Sequence, residues 1–269
     1  VDEIMKDPDR MAAGGRRVEL SVFFADIVGF TAISERIEAD QLDRLVRRAH
    51  SIVCDVVLEH GGTHDKFVGD MVMAFFGAPL PQADHAARAC RAALDTDRRL
   101  AAWSRELEAE GLPAFRMRIG INSGPMIVGN MGSDMLWDFT VLGDAVNTGS
   151  RIQDNARLFT IYTMIGEATN DLVKDDFVTR DLGLIRVKNK REPIRVYELM
   201  CRRGECTDEI AERKARFAEA LDAYHARRWD EAIDRFEAIG DTPSKAYAEA
   251  ARHCRATPPS DDWPGTLEK

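Results

Sequence analysis

Apolar residues recur at helical spacing directly after a segment whose composition favours a β-strand. The segment Val18–Ala25 (VELSVFFA) is rich in β-branched and aromatic residues and ends at Asp26. From about Thr31 the spacing predicts a single helix that ends at Gly61-Gly62. Its apolar face consists of Leu42, Leu45, Val46, Ala49, Ile52, Val53, Val56 and Val57. This pattern predicts a helix that packs on a sheet, with polar chemistry beginning where the first strand ends.

Two short extended segments follow, THDKFV and MVMAFF, and Gly69-Asp70 separates them. A Gly-Asp pair is typical of a tight hairpin turn, so we expect Asp70 at a loop tip. A second amphipathic helix is predicted from Ala86 to about Glu108, before the strand FRMRIGIN. The order strand, helix, hairpin, helix, strand predicts an α+β sandwich with helices on one face of a mixed sheet.

The second half of the chain divides into further strands and a helical end. GPMIVGNMG and FTVLGDAV are predicted to be extended, Asn147–Asp154 to be helical, and GLIRVK and IRVYELM to be strands that close the first domain near Met200. Ala, Glu and Arg then predominate, which predicts two or three packed helices, followed by a Pro-rich tail that we expect to lie as an extended arm. We therefore divide the chain into a linker (1–17), a main domain (18–203) and a helical extension (207–269).

Composition excludes several classes of protein. The 37 Lys and Arg are interspersed among 46 Asp and Glu, giving a net charge of −9, which argues against nucleic acid as a partner. The five cysteines form no CxxC pair, so neither a zinc site nor a disulfide framework is expected. No apolar run approaches the ~20 residues that cross a bilayer. We expect a cytoplasmic location, either alone or as the cytoplasmic part of a membrane-anchored protein whose upstream sensor precedes Val1.

Two carboxylates stand at the ends of neighbouring predicted strands. Asp26 ends the first strand, and Asp70 lies at the tip of a hairpin that can pair beside it. Paired carboxylates offer the hard oxygen ligands that Mg²⁺ and Mn²⁺ prefer when they bind together with a nucleotide triphosphate. Taken singly, each has a simpler interpretation, a helix cap for Asp26 and a turn residue for Asp70. The intervening residues lead into a helix whose free N–H groups can hold phosphates: Ile27, Val28, Gly29, Phe30 and Thr31.

The strings FADIVGFT, KFVGDMVMAFFG, GNMG and FTVLGDAVNTGSR resemble the signature segments of the class III adenylate and guanylate cyclases. They occur in the family's order and spacing between about Val18 and Met200, which makes the resemblance more specific than any single motif. It implies a ferredoxin-like class III cyclase sandwich, here with a small C-terminal helical extension. It also implies conversion of ATP to 3′,5′-cyclic AMP and pyrophosphate with two divalent metal ions, Mg²⁺ or Mn²⁺, in signal transduction.

The resemblance assigns metal binding to Asp26 and Asp70, and purine selection to Lys66 and Thr140. Adenine presents an acceptor at N1 and a donor at its amino group, which a lysine donor and a threonine acceptor satisfy. Guanine reverses this pattern and would leave buried polar groups unpaired, at a cost of about 1–3 kcal/mol each. The pair therefore favours ATP as substrate.

The family's transition-state residues correspond to Asn147, which orients the ribose, and Arg151, which binds the α-phosphate. They lie four residues apart and hence on one helix face. Gly149, between them, replaces a common alanine, and we expect it to weaken this helix by ~1 kcal/mol. The lysine for the terminal phosphates corresponds to Lys188, with Lys190 as a competing candidate.

In this family the metal aspartates come from one subunit and the remaining site residues from the other. Because this one chain carries both sets, the resemblance implies a homodimer with two composite sites. Two alternatives stay open: a guanylate cyclase of the same fold, and a non-catalytic nucleotide-binding regulatory module. A diguanylate cyclase would carry a GG(D/E)EF signature, which the sequence lacks.

Overall fold

The computed structural model describes residues 15–132, 137–187, 190 and 192–267. Within these ranges nine strands form one mixed sheet: β1 Arg16–Ile27, β2 Thr63–Val68, β3 Met71–Phe76, β4 Met117–Gly132, β5 Trp137–Leu142, β6 Thr163–Gly166, β7 Phe177–Ile185, β8 Ile194–Arg202 and β9 Thr266–Leu267. The strand order is β2-β3-β1-β4-β6-β8-β7-β9, and β5 pairs with β4 outside this path. The pair β4–β6 is parallel, whereas β1 is antiparallel to both of its neighbours. This confirms the predicted α+β fold with a mixed sheet.

The helices cover both faces of the sheet. Their bounds are α1 Phe30–Ser34, α2 Ala39–Glu59, α3 His85–Ala109, α4 Asp144–Asn155, α5 Glu167–Val173, α6 Asp208–His225, α7 Trp229–Ile239 and α8 Thr242–Ala256. Phe23 and Ala25 of β1 share a hydrophobic core with α2 and α3. The alternate residues Val22 and Phe24 face the opposite side, where α4 packs. The expectation that helices lie on one face alone is therefore wrong for α4.

The single helix predicted from Thr31 to Gly61 is interrupted. Residues 35–38 separate α1 from α2, and Glu38 has the non-helical angles φ −59° and ψ 144°. The apolar face on which the prediction rested begins at Leu42, and the interruption carries mostly charged side chains, which gain nothing from packing on the core. The short helix α1 is thereby free to take its own direction after β1.

The C-terminal helices α6–α8 share a core with the sheet. Tyr224 and Tyr247 are fully buried in it, together with Phe217 of α6, Ile152 of α4 and Met164 of β6. None of the helices in the described ranges is long and apolar enough to cross a membrane.

The Pro-rich tail folds back and does not form the extended arm that we expected. The Trp263 ring packs edge-on against the rings of Tyr224 and Trp229, at centroid distances of 5.4 and 5.8 Å. β9 then pairs in parallel with the end of β7. Burial of an indole and pairing of a free strand edge hold the tail, and neither is visible in its turn-rich composition.

Candidate active site

Two carboxyl groups meet where β1 and the β2–β3 hairpin end. Asp26 is the penultimate residue of β1, and Asp70 occupies the two-residue turn after Gly69, whose φ of 63° lies in the left-handed region. The carboxyl group of Asp26 hydrogen-bonds that of Asp70. The backbone carbonyl of Asp70 accepts a hydrogen bond from His50 Nε2 of α2 at 3.2 Å. The predicted meeting of Asp26 and Asp70 therefore occurs within one chain.

The surroundings of Asp26 favour its neutral form. Burial, the hydrogen bond that protonated Asp26 donates to Asp70 and the negative charge of Asp70 together raise the pKa of Asp26 to about 7 from the ordinary value of 3.8, although Arg118 opposes the shift. Two carboxylates in contact repel each other unless a proton or a cation lies between them. A divalent cation would relieve this repulsion, so the pair fits a hard cation.

The number of ligands also fits Mg²⁺ or Mn²⁺ in particular. In the described part of the chain, no group of three or more His, Cys, Asp and Glu side chains could hold a metal ion. Magnesium in nucleotide enzymes is commonly bound by one or two carboxylates plus substrate phosphates and water. The pair Asp26 and Asp70 matches that pattern better than it matches a closed protein cage.

A tight turn connects β1 to α1 beside this pair. Val28 N donates to the Arg116 carbonyl at 2.9 Å, and Gly29 caps α1 with φ 70°. Gly29 is exposed, and nothing lies within 4 Å of the position that a Cβ would occupy. The first N–H groups of a helix have no intrahelical partner, so those after Gly29 are available to a ligand. The structure thus places Ile27 to Thr31 next to the carboxylate pair.

Lys66 and Thr140, which are far apart in sequence, converge on a third residue, Asp65. The Thr140 hydroxyl donates to Asp65 Oδ2 at 2.6 Å, and Lys66 Nζ lies 3.3 Å from Asp65 Oδ1. The Asp65 side chain is only 1% exposed, whereas that of Lys66 is 42% exposed. The two residues assigned to purine selection therefore lie on either side of one buried carboxylate.

A bulge in β2 allows Asp65 and Lys66 to act together. His64 pairs with Ala74 and Lys66 with Met73, so Asp65 is an extra residue without a partner in β3. Consecutive residues of a regular strand point to opposite faces, and a bulge removes that restriction. On the other side, β5 folds over the sheet so that Phe139 packs on Phe75 of β3, at a centroid distance of 6.0 Å. This contact brings the neighbouring Thr140 to Asp65.

The helix α4 carries Asn147 and Arg151. Asn147 is exposed and Arg151 is partly exposed, and within the described ranges neither side chain makes a hydrogen bond or an ion pair. The structure does not bring them into contact with the other assigned residues of the same chain. They are available to a ligand or to a second subunit.

Two glycines allow α4 to pack closely on the sheet. A Cβ on Gly120 of β4 would lie 2.4 Å from the backbone nitrogen of Gln153, and one on Gly149 would lie 2.6 Å from Val22 Cγ2. Gly149 is thus explained by close packing against β1, a contact that the sequence-based estimate of its helix propensity did not include. The separation of α4 from the sheet depends on both residues.

The lysines assigned to the terminal phosphates lie in the segment between β7 and β8. Lys188 lies outside the described residues. The ammonium group of Lys190 pairs with the carboxylate of Asp144 in the first turn of α4. The Lys190 ammonium therefore already has an ion-pair partner, the Asp144 side chain, which is 76% exposed.

Two open cavities lie along β4 and α4, and neither includes the carboxylate pair. They have volumes of about 460 and 290 Å³, and both are lined by Asn122 and Thr148. The assigned residues Lys66, Thr140, Asn147 and Arg151 do not line these two cavities either. Asp65 is the residue that sequence reasoning missed, since a strand alternation assigns it to the face opposite Lys66.

Comparison with known proteins gives the family. The model of the adenylate and guanylate cyclase catalytic domain matches residues 15–201. Adenylate cyclase 1 of Rhizobium meliloti and an adenylate cyclase of Mycobacterium tuberculosis are each 34% identical over 190 residues, covering 70% and 71% of this chain. The aligned region spans only 29% and 41% of those two relatives.

Solved structures agree with the family match. The adenylyl cyclase CyaB from P. aeruginosa is 35% identical, with a TM-score of 0.66 over 72% of this chain and 99% of that one. The guanylate cyclase domain of RhGC from Catenaria anguillulae, solved with GTP, is 27% identical, with a TM-score of 0.61 over 70% of this chain and all of that one. Both purine specificities therefore occur among structures of this shape. With the family model matching most of its length, the chain belongs to the adenylate and guanylate cyclase catalytic domain family.

Proposed function

We propose that this chain is an adenylate cyclase that converts ATP to 3′,5′-cyclic AMP and pyrophosphate at composite sites of a homodimer. The observation that carries the proposal is the contact between the Asp26 and Asp70 carboxyl groups at the end of β1. A regulatory module that has lost its chemistry has no need of this electrostatically unfavourable pair. Relatives named adenylate cyclase support the same choice.

In the proposed mechanism Asp26 and Asp70 would hold the divalent ions, and the N–H groups after Gly29 would bind phosphate oxygens. When bound, two Mg²⁺ or Mn²⁺ ions would make the ribose 3′-OH more acidic and neutralise charge on the triphosphate. Arg151 of the other subunit binds the α-phosphate, and Asn147 orients the ribose. A planar guanidinium suits a phosphate whose equatorial charge increases during the displacement.

Lys66 and Thr140 select the base. Lys66 donates to N1 of adenine, and Thr140 accepts from the 6-amino group. We propose that Lys188, and not Lys190, binds the terminal phosphates, because the ammonium group of Lys190 is paired with Asp144. We also propose that residues 18–203 carry the catalysis, that 207–269 support them, and that the domain works in the cytoplasm beneath an upstream sensor.

The test is a complementation assay with two inactive variants. Asp70→Ala removes a metal ligand and Arg151→Ala removes a phosphate ligand, and each alone should retain at most about 1% of the wild-type cyclic AMP formation from ATP with Mn²⁺. Random mixing makes about half of all dimers heterodimers. Each heterodimer carries both substitutions in one of its two sites and leaves the other site intact. The mixture should therefore recover about a quarter of the wild-type rate.

The control is Arg105→Ala, which removes an exposed arginine of α3 and should retain full activity when unmixed. Failure of the wild-type protein to form cyclic AMP at any concentration, despite ATP binding, would favour a regulatory module. Cyclic GMP from GTP at a higher rate than cyclic AMP from ATP would favour the guanylate cyclase alternative. Activity close to the wild-type rate in either single variant would contradict the assigned roles.

A further inference from the structure

A buried carboxylate that the sequence did not single out connects the two purine-selecting residues. Asp65 is the bulge residue of β2, and its side chain is 1% exposed. Burying a carboxylate is costly unless polar partners surround it. Here the partners are the Thr140 hydroxyl, 2.6 Å from Oδ2, and the Lys66 ammonium, 3.3 Å from Oδ1. The position of Asp65 thus depends on those two side chains, and theirs depend on Asp65.

The contact with Thr140 has a directional consequence. A threonine hydroxyl has one proton and two lone pairs, and its rotation normally lets it donate or accept. An ionised carboxylate accepts hydrogen bonds and donates none. The proton of Thr140 is therefore directed at Asp65, and only lone pairs remain for any other partner.

We propose that Asp65 is a positioning residue that fixes the Thr140 hydroxyl as a hydrogen-bond acceptor and so makes the site selective for 6-aminopurine nucleotides. This inference rests on the proposed function, in which Thr140 faces the purine. The 6-amino group of adenine donates to the fixed acceptor. The 6-oxo group of guanine or hypoxanthine would place its own oxygen lone pairs against the lone pairs of the Thr140 hydroxyl, and no hydrogen bond could form. Without Asp65, the free Thr140 hydroxyl could rotate its proton toward the 6-oxo group, and the site could bind either base.

The bond with Lys66 complements this arrangement. An ammonium group has three donors, so one can be directed at Asp65 while the others remain available to N1 of the base. Oδ1 of Asp65 has no hydrogen-bond partner in the described part of the chain and only the ion pair with Lys66. The carboxylate therefore separates two functions, a donor at Lys66 and an acceptor at Thr140.

The experiment compares ATP with purine riboside triphosphate, which differs only by lacking the 6-amino group. The ratio of their kcat/KM values measures what the amino group gains from its acceptor. We expect about a five- to tenfold ratio in the wild-type protein, the size of one neutral hydrogen bond. In Asp65→Asn the freed hydroxyl can still accept from the amino group, so this ratio should stay near its wild-type value. The ratio of kcat/KM for N6-methyl-ATP over 6-methoxypurine riboside triphosphate, which carry a donor and an acceptor at position 6, should instead fall toward one, because the amide can donate to Thr140 and free the hydroxyl proton for the acceptor.

Two further variants separate positioning from general damage. Thr140→Val should abolish the ratio, and adding Asp65→Asn to it should cause no further change in the ratio. Asp43→Asn, on the exposed surface of α2, is the matched control and should retain the wild-type ratio. An equal loss of kcat/KM for N6-methyl-ATP and 6-methoxypurine riboside triphosphate in Asp65→Asn, with their ratio unchanged, would overturn the inference and leave a structural role.

A measurement on the wild-type protein tests the inference even when Asp65→Asn does not fold. N6-methyl-ATP and 6-methoxypurine riboside triphosphate have similar shapes, but the first offers a donor at position 6 and the second an acceptor. A fixed acceptor at Thr140 should make the N6-methyl compound the better substrate, whereas equal kcat/KM values would contradict it. A wild-type protein that cyclises neither ATP nor GTP would instead refute the proposed function, so the two failures are distinguishable.

Discussion

Replacing Gly120 by alanine tests how closely the geometry of α4 limits catalysis. A Cβ at this position would lie 2.4 Å from the backbone nitrogen of Gln153 and 2.5 Å from its Cα. Backbone atoms cannot rotate away as the end of a flexible side chain can. The helix α4 must therefore move away from β4 to accommodate one methyl group.

The size of this movement sets the expected effect. Restoring ordinary van der Waals separation requires a shift of about 1 Å, and overpacking a core in this way typically costs about 1–3 kcal/mol of unfolding free energy. The same helix carries Asn147 and Arg151, whose proposed contacts are with the reacting groups. A misplacement of ~1 Å can lower turnover by ~10²-fold, so activity should fall far more than stability.

The assay measures cyclic AMP formation at saturating ATP and Mn²⁺, together with denaturant unfolding of the same preparation. Gly204→Ala is the matched control, because nothing lies within 4 Å of its added Cβ, and both quantities should stay at wild-type values. Wild-type turnover in Gly120→Ala would show that the close packing of α4 on β4 does not position Asn147 and Arg151, the residues that we propose for catalysis. A protein that loses only stability would show that the shift is absorbed elsewhere.

Three further perturbations address the metal pair and the C-terminal helices. Asp70→Ala should lower turnover on the order of a hundredfold or more. The melting temperature of the metal-free protein should stay the same or rise, because the substitution removes a like charge beside Asp26. A large loss of stability would contradict this expectation. Mn²⁺ affinity, measured by titration calorimetry, should fall as the pH drops below about 7, because the raised pKa of Asp26 lets protons compete with the metal; a pH-independent affinity would contradict it. The same shift means that the folded protein keeps a proton which the unfolded chain releases, so stability of the metal-free protein should decrease as the pH rises from 3.8 to about 7. Arg180→Met should lower the unfolding free energy by about 3–5 kcal/mol, because the Arg180 side chain is 3% exposed and pairs with both Glu198 and Asp241. The exposed control Arg105→Met should change the unfolding free energy by less than about 0.5 kcal/mol.

Local patterns were sufficient for elements whose burial is regular. The hairpin β2–β3 was predicted with its strand bounds and its Gly69-Asp70 turn, because turn chemistry and strand composition agree there. The helix α3 was predicted to within a few residues, since its apolar face is continuous. The meeting of Asp26 and Asp70 followed from the ends of two strands that were both predicted correctly.

Long-range pairing was not accessible from local pattern. The strand β6 has only four residues and is not predicted from the sequence, yet it lies at the centre of the sheet in parallel with β4. A short apolar run has no periodicity that distinguishes it from other buried segments. The bulge at Asp65 was missed for a related reason, because an extra residue in a strand is defined by its partner strand and not by its own composition.

The boundary between the main domain and the helical extension illustrates the limit of composition as a guide. The sequence changes character near residue 203, which predicts a small helical appendage after the main domain. In the structure Phe217 and Tyr247 of the extension lie in one hydrophobic core with Ile152 of α4. Arg180 of β7 adds a buried ion pair to Asp241, at the N-terminus of α8. The face of α4 that carries Ile152 therefore packs against elements from both sides of that boundary, so the extension contributes to the position of Asn147 and Arg151, the residues that we propose for catalysis.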